Sequence, residues 1–273
     1  MTTGGQFKTV TVAALVALVC MAGEAGAAQC GNTSAGFEAW KSQFANEARA
    51  KRISASTLAA LMATNYSTAT IRADRGQRSF KLSLEQFLAK RGGPAIVARG
   101  RNLKQTHAAM FGSIQQRYGV PPGPLLAIWG METGFGADRG KHNVLAAVAT
   151  LAYDCRRSAF FTEHLYAALT LIDRRILSAD TRGAAHGEVG HTQFMPKSIL
   201  NYGVGGSLDN VNNALTSTAN FLKGHGWRAG AGYQPGEPNF AAIQGWNAAT
   251  VYQQAIALMG RQIDGGGGTS AKR

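Results

Sequence analysis

Acidic residues are few in this chain of 273 residues: 15 Asp and Glu stand against 28 Lys and Arg, which leaves a formal net charge of +13. So basic a balance favours anionic partners, such as nucleic acid, an acidic membrane surface or an anionic glycan, without choosing among them. Charged residues make up only 16% of the sequence and hydrophobic residues 45%. The composition therefore excludes a disordered polar chain and allows a sizeable core.

Long apolar runs are absent except for one near the start of the sequence. Lys8 precedes an apolar run over 10–22, and the small residues 25–28 follow it. This pattern is typical of a secretory signal peptide, and the run is too short to serve comfortably as a permanent membrane span. We therefore predict a signal peptide over 1–28, cleaved after Ala27 or Ala28, and an exported, periplasmic product without a stable membrane anchor.

Cysteine is also rare, with three in the whole sequence. Cys20 lies in the predicted signal peptide, so Cys30 and Cys155 would be the only pair in the exported product. Two thiols in one domain usually pair in an oxidising compartment, and we predict a disulfide between them; two separate thiols are the alternative. Gln29 stands before Cys30 where a lipoprotein signal has a small residue, which argues against a lipid anchor.

No internal repeat stands out, alternating strand-like runs are scarce, and helical periodicity dominates over 31–264. Phe37, Trp40 and Phe44 recur at spacings of three and four, as on one face of a helix. Further helices are predicted over 83–90, 100–118, 124–131, 160–177, 212–224 and 248–260, separated by clusters of glycine and proline. We predict one mainly α domain over 29–264 with little β structure, glycine-rich connections that form the walls of a groove, and a flexible tail over 265–273.

The residue best placed for acid chemistry is Glu132. It ends an apolar helical run that begins at Pro124, and Gly134 and Gly136 follow it immediately. A carboxyl group at the end of an apolar helix, beside glycines that let the backbone approach a ligand, is a candidate for an acid with a raised pKa. A glutamate that simply reaches solvent or a nearby arginine is the alternative.

Several separated motifs resemble those of one enzyme family, the membrane-bound B-type lytic murein transglycosylases of the lysozyme-like superfamily. Their catalytic-glutamate segment is similar to GVPPGPLLAIWGMETGFG at 119–136. Their tyrosine and double-arginine segment resembles YDCRRSAFF at 153–161, and their glutamine motif resembles GEVGHTQFMPKSIL at 187–200. ANFLKGHGW at 219–227 and GWN at 245–247 follow in the family's order. The resemblance implies a lysozyme-like helical fold with a glycan-binding groove, and Glu132 as the catalytic acid.

The resemblance also implies a reaction that needs one carboxylate, where an ordinary glycosidase needs two. The glutamate protonates the glycosidic oxygen between N-acetylmuramic acid and N-acetylglucosamine. The same carboxylate then removes the proton of the muramyl 6-hydroxyl, and a 1,6-anhydro ring closes without water. Glu132 would be protonated first and ionised second, so a pKa raised towards the operating pH is expected.

Two adjacent arginines, Arg156 and Arg157, follow Cys155 in the second motif. Guanidinium groups can grip the carboxylates of a glycan or of its peptides in a bidentate way, so both are candidates for substrate binding. A plain solvated pair is the alternative.

The later motifs supply four more candidates for substrate binding. Gln193 offers both a donor and an acceptor to an acetamido group, and Asn247 is assigned with it from the matching motif. Phe194 and Trp246 offer flat apolar faces to sugar rings, although core packing is the competing explanation for each aromatic ring.

No metal ion or other cofactor is expected. His186, Glu188 and His191 lack the spacing of a helical HExxH zinc motif, and the glycines between them argue against a helix. Glu188 is the rival for a second catalytic carboxylate, but a structural glutamate that ties together the glycine-rich turn is favoured. Residues 203–210 contain Asp209 as their one acidic residue, so the acidic calcium loop of better-known relatives is not expected.

Three other functions compete with a lytic transglycosylase. A hydrolytic muramidase would release reducing muramic acid instead of the anhydro product. A non-catalytic cell-wall-binding protein would hold glycan without cutting it, and the presence of Glu132 argues against this. A nucleic-acid binder would use the positive charge, but the export signal and the lack of a basic recognition helix argue against it. We therefore expect peptidoglycan glycan strands as the partner, no nucleic acid, and a monomer.

Overall fold

The computed structural model describes residues 1–2, 28–76 and 82–265. The predicted signal peptide and the predicted tail lie outside these residues, except for their ends at 1–2, 28 and 265. Within the described part of the chain, no helix is both long and apolar enough to cross a membrane.

The described residues form thirteen α-helices, a short 3-10 helix at Ser34–Gly36 and one two-stranded sheet. The helices are α1 (Phe37–Ala50), α2 (Ala55–Met62), α3 (Thr68–Arg75), α4 (Leu84–Arg91), α5 (Gly93–Thr106), α6 (Ala108–Tyr118), α7 (Pro122–Thr133), α8 (Val144–Tyr153), α9 (Ser158–Asp173), α10 (Pro196–Tyr202), α11 (Val211–Gly224), α12 (Phe240–Trp246) and α13 (Thr250–Asp264). The strands are β1 (His142–Asn143) and β2 (Arg182–Gly183). The prediction of a mainly α fold with little β structure is confirmed.

Polar caps start several helices at the residues that the sequence indicates. At the start of α2, the hydroxyl of Ser54 accepts a hydrogen bond from the backbone N–H of Thr57 at 3.3 Å. At the start of α4, Ser83 and Gln86 cap each other: each side chain accepts a hydrogen bond from the other's backbone N–H, at 3.2 and 3.1 Å. These bonds satisfy donors that have no partner within the helix.

The single helix predicted over 100–118 is wrong. α5 begins earlier, at Gly93, with Pro94 in its first turn, and the chain breaks at His107 before α6 begins. Proline is tolerated in a first turn because the N–H groups there have no acceptor within the helix. The break lets α5 pack against α7 and α13 while α6 packs against α11.

Helix α7 lies at the centre of the molecule. Leu125, Leu126 and Ile128 are fully buried, and they point to different sides of the helix. A helix that is apolar on every side is stable only when other elements surround it. α7 packs mainly against α13 and α5. A Cβ at Gly123 would collide with the carbonyl of Gly260, so glycine allows the close approach of α7 and α13.

The short sheet fixes the loop that follows it. β1 and β2 pair antiparallel, with His142 opposite Gly183. A Cβ at Gly183 would collide with the carbonyl oxygen of Glu188, and that oxygen accepts a hydrogen bond from the N–H of Ala184 at 2.9 Å. The loop therefore turns back on the sheet before it leads into α10.

The start of the described segment 28–76 is tied to the end of α8. The structure joins Cys30 to Cys155 by a disulfide, with an S–S distance of 2.10 Å. Beside it, Gly31 forms an isolated bridge with Asp154. The formation of this bond in an exported product stays a prediction.

Candidate active site

Glu132 lies in the last turn of α7, half-buried, where the helix reaches a cavity. The apolar sequence of α7 sends the body of the helix through the core, so only its end meets solvent. Gly134, with φ +58°, ends the helix in the left-handed conformation that favours glycine. The chain thereby turns away from the axis directly after the carboxyl group.

Two neutral groups hold the carboxylate of Glu132. The hydroxyl of Tyr252 in α13 donates a hydrogen bond to Oε1 at 2.7 Å, and the indole Nε1–H of Trp246 in α12 donates to the same oxygen at 3.1 Å. No donor from the described residues is found at Oε2. One carboxylate oxygen is thus anchored, and the other is left for a proton and a substrate.

The surroundings of Glu132 favour its protonated form. Burial raises its pKa from 4.5 to about 7, although the hydrogen bonds from Tyr252 and Trp246 work in the opposite direction. The charge of Glu188 raises the pKa further, and that of Arg91 lowers it. A carboxyl group with a pKa near neutrality can both give and take a proton at ordinary pH.

The cavity beside Glu132 has a volume of about 250 Å³. It is lined by Glu132, Glu188, Gln193, Phe194, Met195, Ser198, Phe221, Gly245, Trp246 and Asn247. The structure therefore brings together five of the residues that the sequence singled out, Glu132, Gln193, Phe194, Trp246 and Asn247. Arg156 and Arg157 do not line this cavity.

Gln193 lies in a strained turn, and part of its side chain is already hydrogen-bonded within the protein. Its backbone has φ +54°, which is uncommon for a residue other than glycine. Its side-chain amide donates hydrogen bonds to the carbonyl oxygens of Gly190, at 2.7 Å, and of Arg139, at 3.4 Å. Because these bonds hold the amide nitrogen, the side-chain oxygen of Gln193 is the atom that can accept a hydrogen bond from a ligand.

Three aromatic rings form one wall of the cavity. Phe194 packs edge to face against both Trp246 and Phe221, with ring centroids 5.3 and 6.0 Å apart. Only 2% of Phe194 is exposed, whereas Trp246 is half-buried. The contacts of Phe194 are those expected of a ring packed in the core, and they support the indole of Trp246 that bonds to Glu132. Stacking of Trp246 on a sugar ring stays a prediction. Phe194 has little exposed surface on which a sugar ring could stack.

Asn247 lies between α12 and α13. Its side-chain oxygen accepts a hydrogen bond from the N–H of Ala249 at 2.9 Å, and its carbonyl accepts one from the side chain of Gln253 at 2.7 Å. These bonds fix the start of α13, the helix that carries Tyr252. Its side-chain NH₂ group is left for the cavity.

Arg156 and Arg157 converge on Asp74, a buried carboxylate at the end of α3 with 4% of its surface exposed. The Nε–H of Arg156 donates to Oδ2 of Asp74 at 2.7 Å, and Arg157 bonds to Oδ1. Burial opposes the ionisation of Asp74, but the two arginines outweigh it and its pKa lies below the usual range. Both guanidinium groups remain partly exposed, so their role in binding substrate stays a prediction.

His191 connects α7 to the loop before α10. The Nε1–H of Trp129 donates to Nδ1 of His191 at 3.1 Å, and Nε2 of His191 lies 3.2 Å from the carbonyl of Asp209. Nδ1 must therefore be the acceptor and Nε2–H the donor, which is the neutral tautomer. Among the described residues, no group of three or more His, Cys, Asp or Glu side chains could hold a metal ion.

The sequence did not point to Tyr252 or Asp74. Tyr252 appears there as one apolar position among many in α13, and nothing in the pattern pairs it with Glu132. Asp74 stands 82 residues before Arg156. The one available signal was polarity: the hydroxyl of Tyr252 and the carboxyl of Asp74 each need a hydrogen-bond partner once they are buried.

A mainly helical fold with a glutamate of raised pKa at the end of a central helix is that of a lysozyme-like domain. The chain belongs to the family described as Transglycosylase SLT domain, whose model matches residues 36–236. Trp246 and Tyr252, which bond to Glu132, lie beyond the matched segment. The membrane-bound lytic murein transglycosylase B of Escherichia coli K12 is 37% identical over 45% of this chain and 38% of its own length. The alignment therefore spans well under half of that relative.

Solved structures extend the likeness to most of the chain. SltB3 of Pseudomonas aeruginosa, in complex with NAG-anhNAM-pentapeptide, is 28% identical, with a TM-score of 0.77 over 85% of this chain and 80% of that one. A lytic transglycosylase of Escherichia coli, Slt35 in complex with bulgecin A, is 23% identical, with a TM-score of 0.73 over 87% of this chain and 96% of that one. The second likeness concerns the fold alone.

Proposed function

We propose that this protein is a peptidoglycan lytic transglycosylase that uses Glu132 as its single acid and base. The observation that carries the proposal is the environment of Glu132: a carboxyl group at an open cavity, held by two neutral donors, with a pKa raised to about 7. The family, the named activity of the relative and the peptidoglycan fragment bound by SltB3 support the substrate class.

In the first step, the protonated Oε2 of Glu132 donates its proton to the oxygen that links N-acetylmuramic acid to N-acetylglucosamine. The bond from that oxygen to the anomeric carbon breaks, and the N-acetylglucosamine portion leaves with a new hydroxyl group. Positive charge develops at the anomeric carbon, where the N-acetyl group of the substrate can stabilise it. In the second step, the 6-hydroxyl of the muramyl residue attacks this carbon, and Glu132 takes up its proton. The product is a 1,6-anhydro ring, and Glu132 is protonated again.

We also propose where the enzyme acts. The catalytic domain spans 29–264 and works as a monomer in the periplasm after the signal peptide at 1–28 is removed. The full sequence has a formal net charge of +13, and loss of residues 1–28 leaves it unchanged because they hold one lysine and one glutamate. A chain this basic would be drawn to a polymer whose peptides and lactyl groups carry carboxylates.

Glu132→Gln tests the proposal, because the amide keeps the size of the side chain but can neither deliver nor retrieve a proton. General acid and base catalysis contributes about 100- to 10,000-fold, so the variant should clear purified sacculi at least about 100 times more slowly than the wild type. Glu85→Gln, at an exposed glutamate in α4, is the matched control and should act like the wild type. Clearing at more than a tenth of the wild-type rate would remove Glu132 from this role.

Mass spectrometry of the released fragments separates this proposal from its hydrolytic alternative. A transglycosylase yields muramic acid that is lighter by one water, and a muramidase yields the reducing sugar. Reducing ends alone from the wild-type enzyme would make the protein a muramidase.

A further inference from the structure

A second carboxylate, Glu188, lines the same cavity as Glu132. The backbone fixes its position on both sides. The carbonyl of Glu188 accepts a hydrogen bond from Ala184, and the next residue, Val189, pairs with Phe194 through two backbone hydrogen bonds of 2.9 and 3.0 Å. These bonds hold the backbone of Glu188 at the cavity wall.

Glu188 is also held by a chain of polar contacts that leads away from the cavity. The backbone N–H of His186 donates to Oε2 of Glu188 at 3.0 Å, and Nδ1 of His186 lies 3.2 Å from Oε1. Nε2 of His186 lies 3.8 Å from Oδ1 of Asp74, which is bonded to Arg156 and Arg157. The arginine pair is thus connected to the cavity through two carboxylates and one imidazole.

We propose that Glu188 is the anionic partner of Glu132: it remains ionised at the cavity wall, keeps the proton on Glu132 and faces the positive charge that develops on the sugar. This inference rests on the proposed function for the sugar chemistry, but its effect on Glu132 does not need substrate. Glu188 takes no proton and forms no bond in the reaction; it acts through its charge.

The charges around the two carboxyl groups support this division. Burial opposes the ionisation of Glu188, yet the contacts with His186 hold its pKa below the ordinary value, whereas the pKa of Glu132 is raised. Two carboxylates that share a cavity titrate at separate pH values when their surroundings differ in this way. The other groups that face them are Tyr252, Trp246 and Arg91 around Glu132, and His164 of α9 near Glu188.

The negative charge of Glu188 at the cavity wall would help the first step of the proposed reaction. When the glycosidic bond breaks, positive charge develops at the anomeric carbon, and a carboxylate that is already in position stabilises that charge without reorganisation. The same charge disfavours ionisation of Glu132 before substrate arrives. Arg91 has the opposite influence on Glu132 from the side of α4.

The experiment follows the carboxyl carbons of both glutamates by NMR during a pH titration, first in the wild-type enzyme without substrate. Glu188 should titrate at a lower pH than Glu132. The same titration of Glu188→Gln, whose amide oxygen can still accept the hydrogen bond from His186, should show the midpoint of Glu132 moved to lower pH. Glu188→Asp keeps the charge and should restore most of the wild-type midpoint. The control Glu85→Gln, at an exposed glutamate, should not change the midpoint.

Activity on sacculi then gives a second readout. In Glu188→Gln the alkaline limb of the rate profile should move to lower pH together with the Glu132 midpoint, with a loss of about tenfold or more in the maximal rate. A reversed order of titration in the wild type, or a Glu132 midpoint that is the same with and without the Glu188 charge, would overturn the proposal. So would a Glu188→Gln enzyme with the wild-type rate and profile. An inactive wild-type enzyme would count against the proposed function. The titration needs no substrate, so it would still test the effect of Glu188 on Glu132.

Discussion

Two carboxylates of this protein, Glu132 and Asp74, lie half-buried and buried, and their surroundings have opposite effects on their pKa values. Glu132 meets an indole and a phenol, which are neutral donors, and burial dominates, so its pKa rises to about 7. Asp74 meets two guanidinium groups, and their charge outweighs burial, so its pKa falls. Burial alone therefore does not decide the protonation state of a carboxyl group. The charge of its hydrogen-bond donors does, and this difference separates a reactive group from a structural one.

Asp74→Asn is expected to have the largest effect on stability. It removes the negative charge on which Arg156 and Arg157 converge and leaves both cations without compensation. Breaking a buried ion pair by removing one partner is strongly destabilising, and since the arginines are partly exposed we expect a loss of about 2–4 kcal/mol in the free energy of unfolding. Urea unfolding at pH 7 measures it.

The pH dependence of Asp74 has a definite sign. Its pKa is lower in the folded protein, so its stabilisation is present at neutral pH and is lost as the pH falls through the folded value. The gap between the wild type and Asp74→Asn should therefore shrink in acid, below about pH 4. Asp180→Asn, at an exposed aspartate, is the control and should unfold like the wild type. Equal stability of Asp74→Asn and the control would show that the cluster contributes nothing.

Glu132→Gln should have the reverse effect, because the active-site carboxylate costs stability. The pKa of Glu132 is higher in the folded protein than the ordinary 4.5, so the folded state loses stability as the pH rises from about 4.5 to about 7. Above that range the variant should be more stable than the wild type by about 2–3 kcal/mol, and the difference should vanish near pH 4.5. Thermal unfolding at several pH values measures this. A variant that is less stable than the wild type at pH 8 would contradict the raised pKa.

Tyr252→Phe should widen the difference in pKa between Glu132 and Asp74, because it removes a hydrogen-bond donor from Glu132. This hydrogen bond lowers the pKa of Glu132, so its loss should move the alkaline limb of the rate profile to higher pH. We expect a loss of about tenfold in the rate on sacculi, the value of one hydrogen bond to a charged group. Tyr166→Phe is the matched control. An alkaline limb that stays in place would mean that this hydroxyl does not tune Glu132.

Arg156→Ala and Arg157→Ala test whether the structural cluster also binds glycan, and we expect the smallest effects here. A direct contact with a substrate carboxylate at a partly exposed site should be worth about two- to fivefold in binding. The assay is sedimentation with sacculi over a salt series, in a Glu132→Gln background that leaves the substrate intact. Salt screens long-range attraction, with a screening length that falls from about 10 Å at 0.1 M to about 3 Å at 1 M, so a direct contact should persist at high salt.

Lys51→Ala, at an exposed lysine, is the control for general charge and should matter only at low salt. If the binding defects of the two arginine variants also disappear at high salt, Arg156 and Arg157 serve only to pair with Asp74 and do not contact the glycan.

The sequence predicted the parts of this comparison that depend on local pattern. The apolar run before Glu132, ended by glycine, indicated the buried helix and the place of its carboxyl group. The helix predicted over 83–90 matches α4 to within a residue at each end. Such signals are local because hydrogen bonds at helix ends join residues three or four positions apart.

The hydrogen-bond partners of Glu132 and Asp74 lie too far away in the sequence for such local signals to predict them. Tyr252 stands 120 residues after Glu132, and Asp74 stands 82 residues before Arg156. The pattern of α13 requires only that the face carrying Tyr252 be buried, and that of α3 leaves Asp74 among polar residues. Which side chains meet depends on how α13 packs on α7 and α3 on α8, and pattern alone does not determine helix packing.

Both hydrogen bonds to Glu132 end on Oε1, so Oε2 is the oxygen that would carry the proton. In the proposed reaction Oε2 gives its proton to the glycosidic oxygen and then takes one from the 6-hydroxyl of the same sugar. A carboxylate anchored in this way cannot turn to follow the second group. The sugar must therefore move in the cavity between the two steps, so that each oxygen comes in turn to a fixed point. A substrate held too tightly by the surrounding side chains would be cut at its glycosidic bond and would then be slow to close its ring.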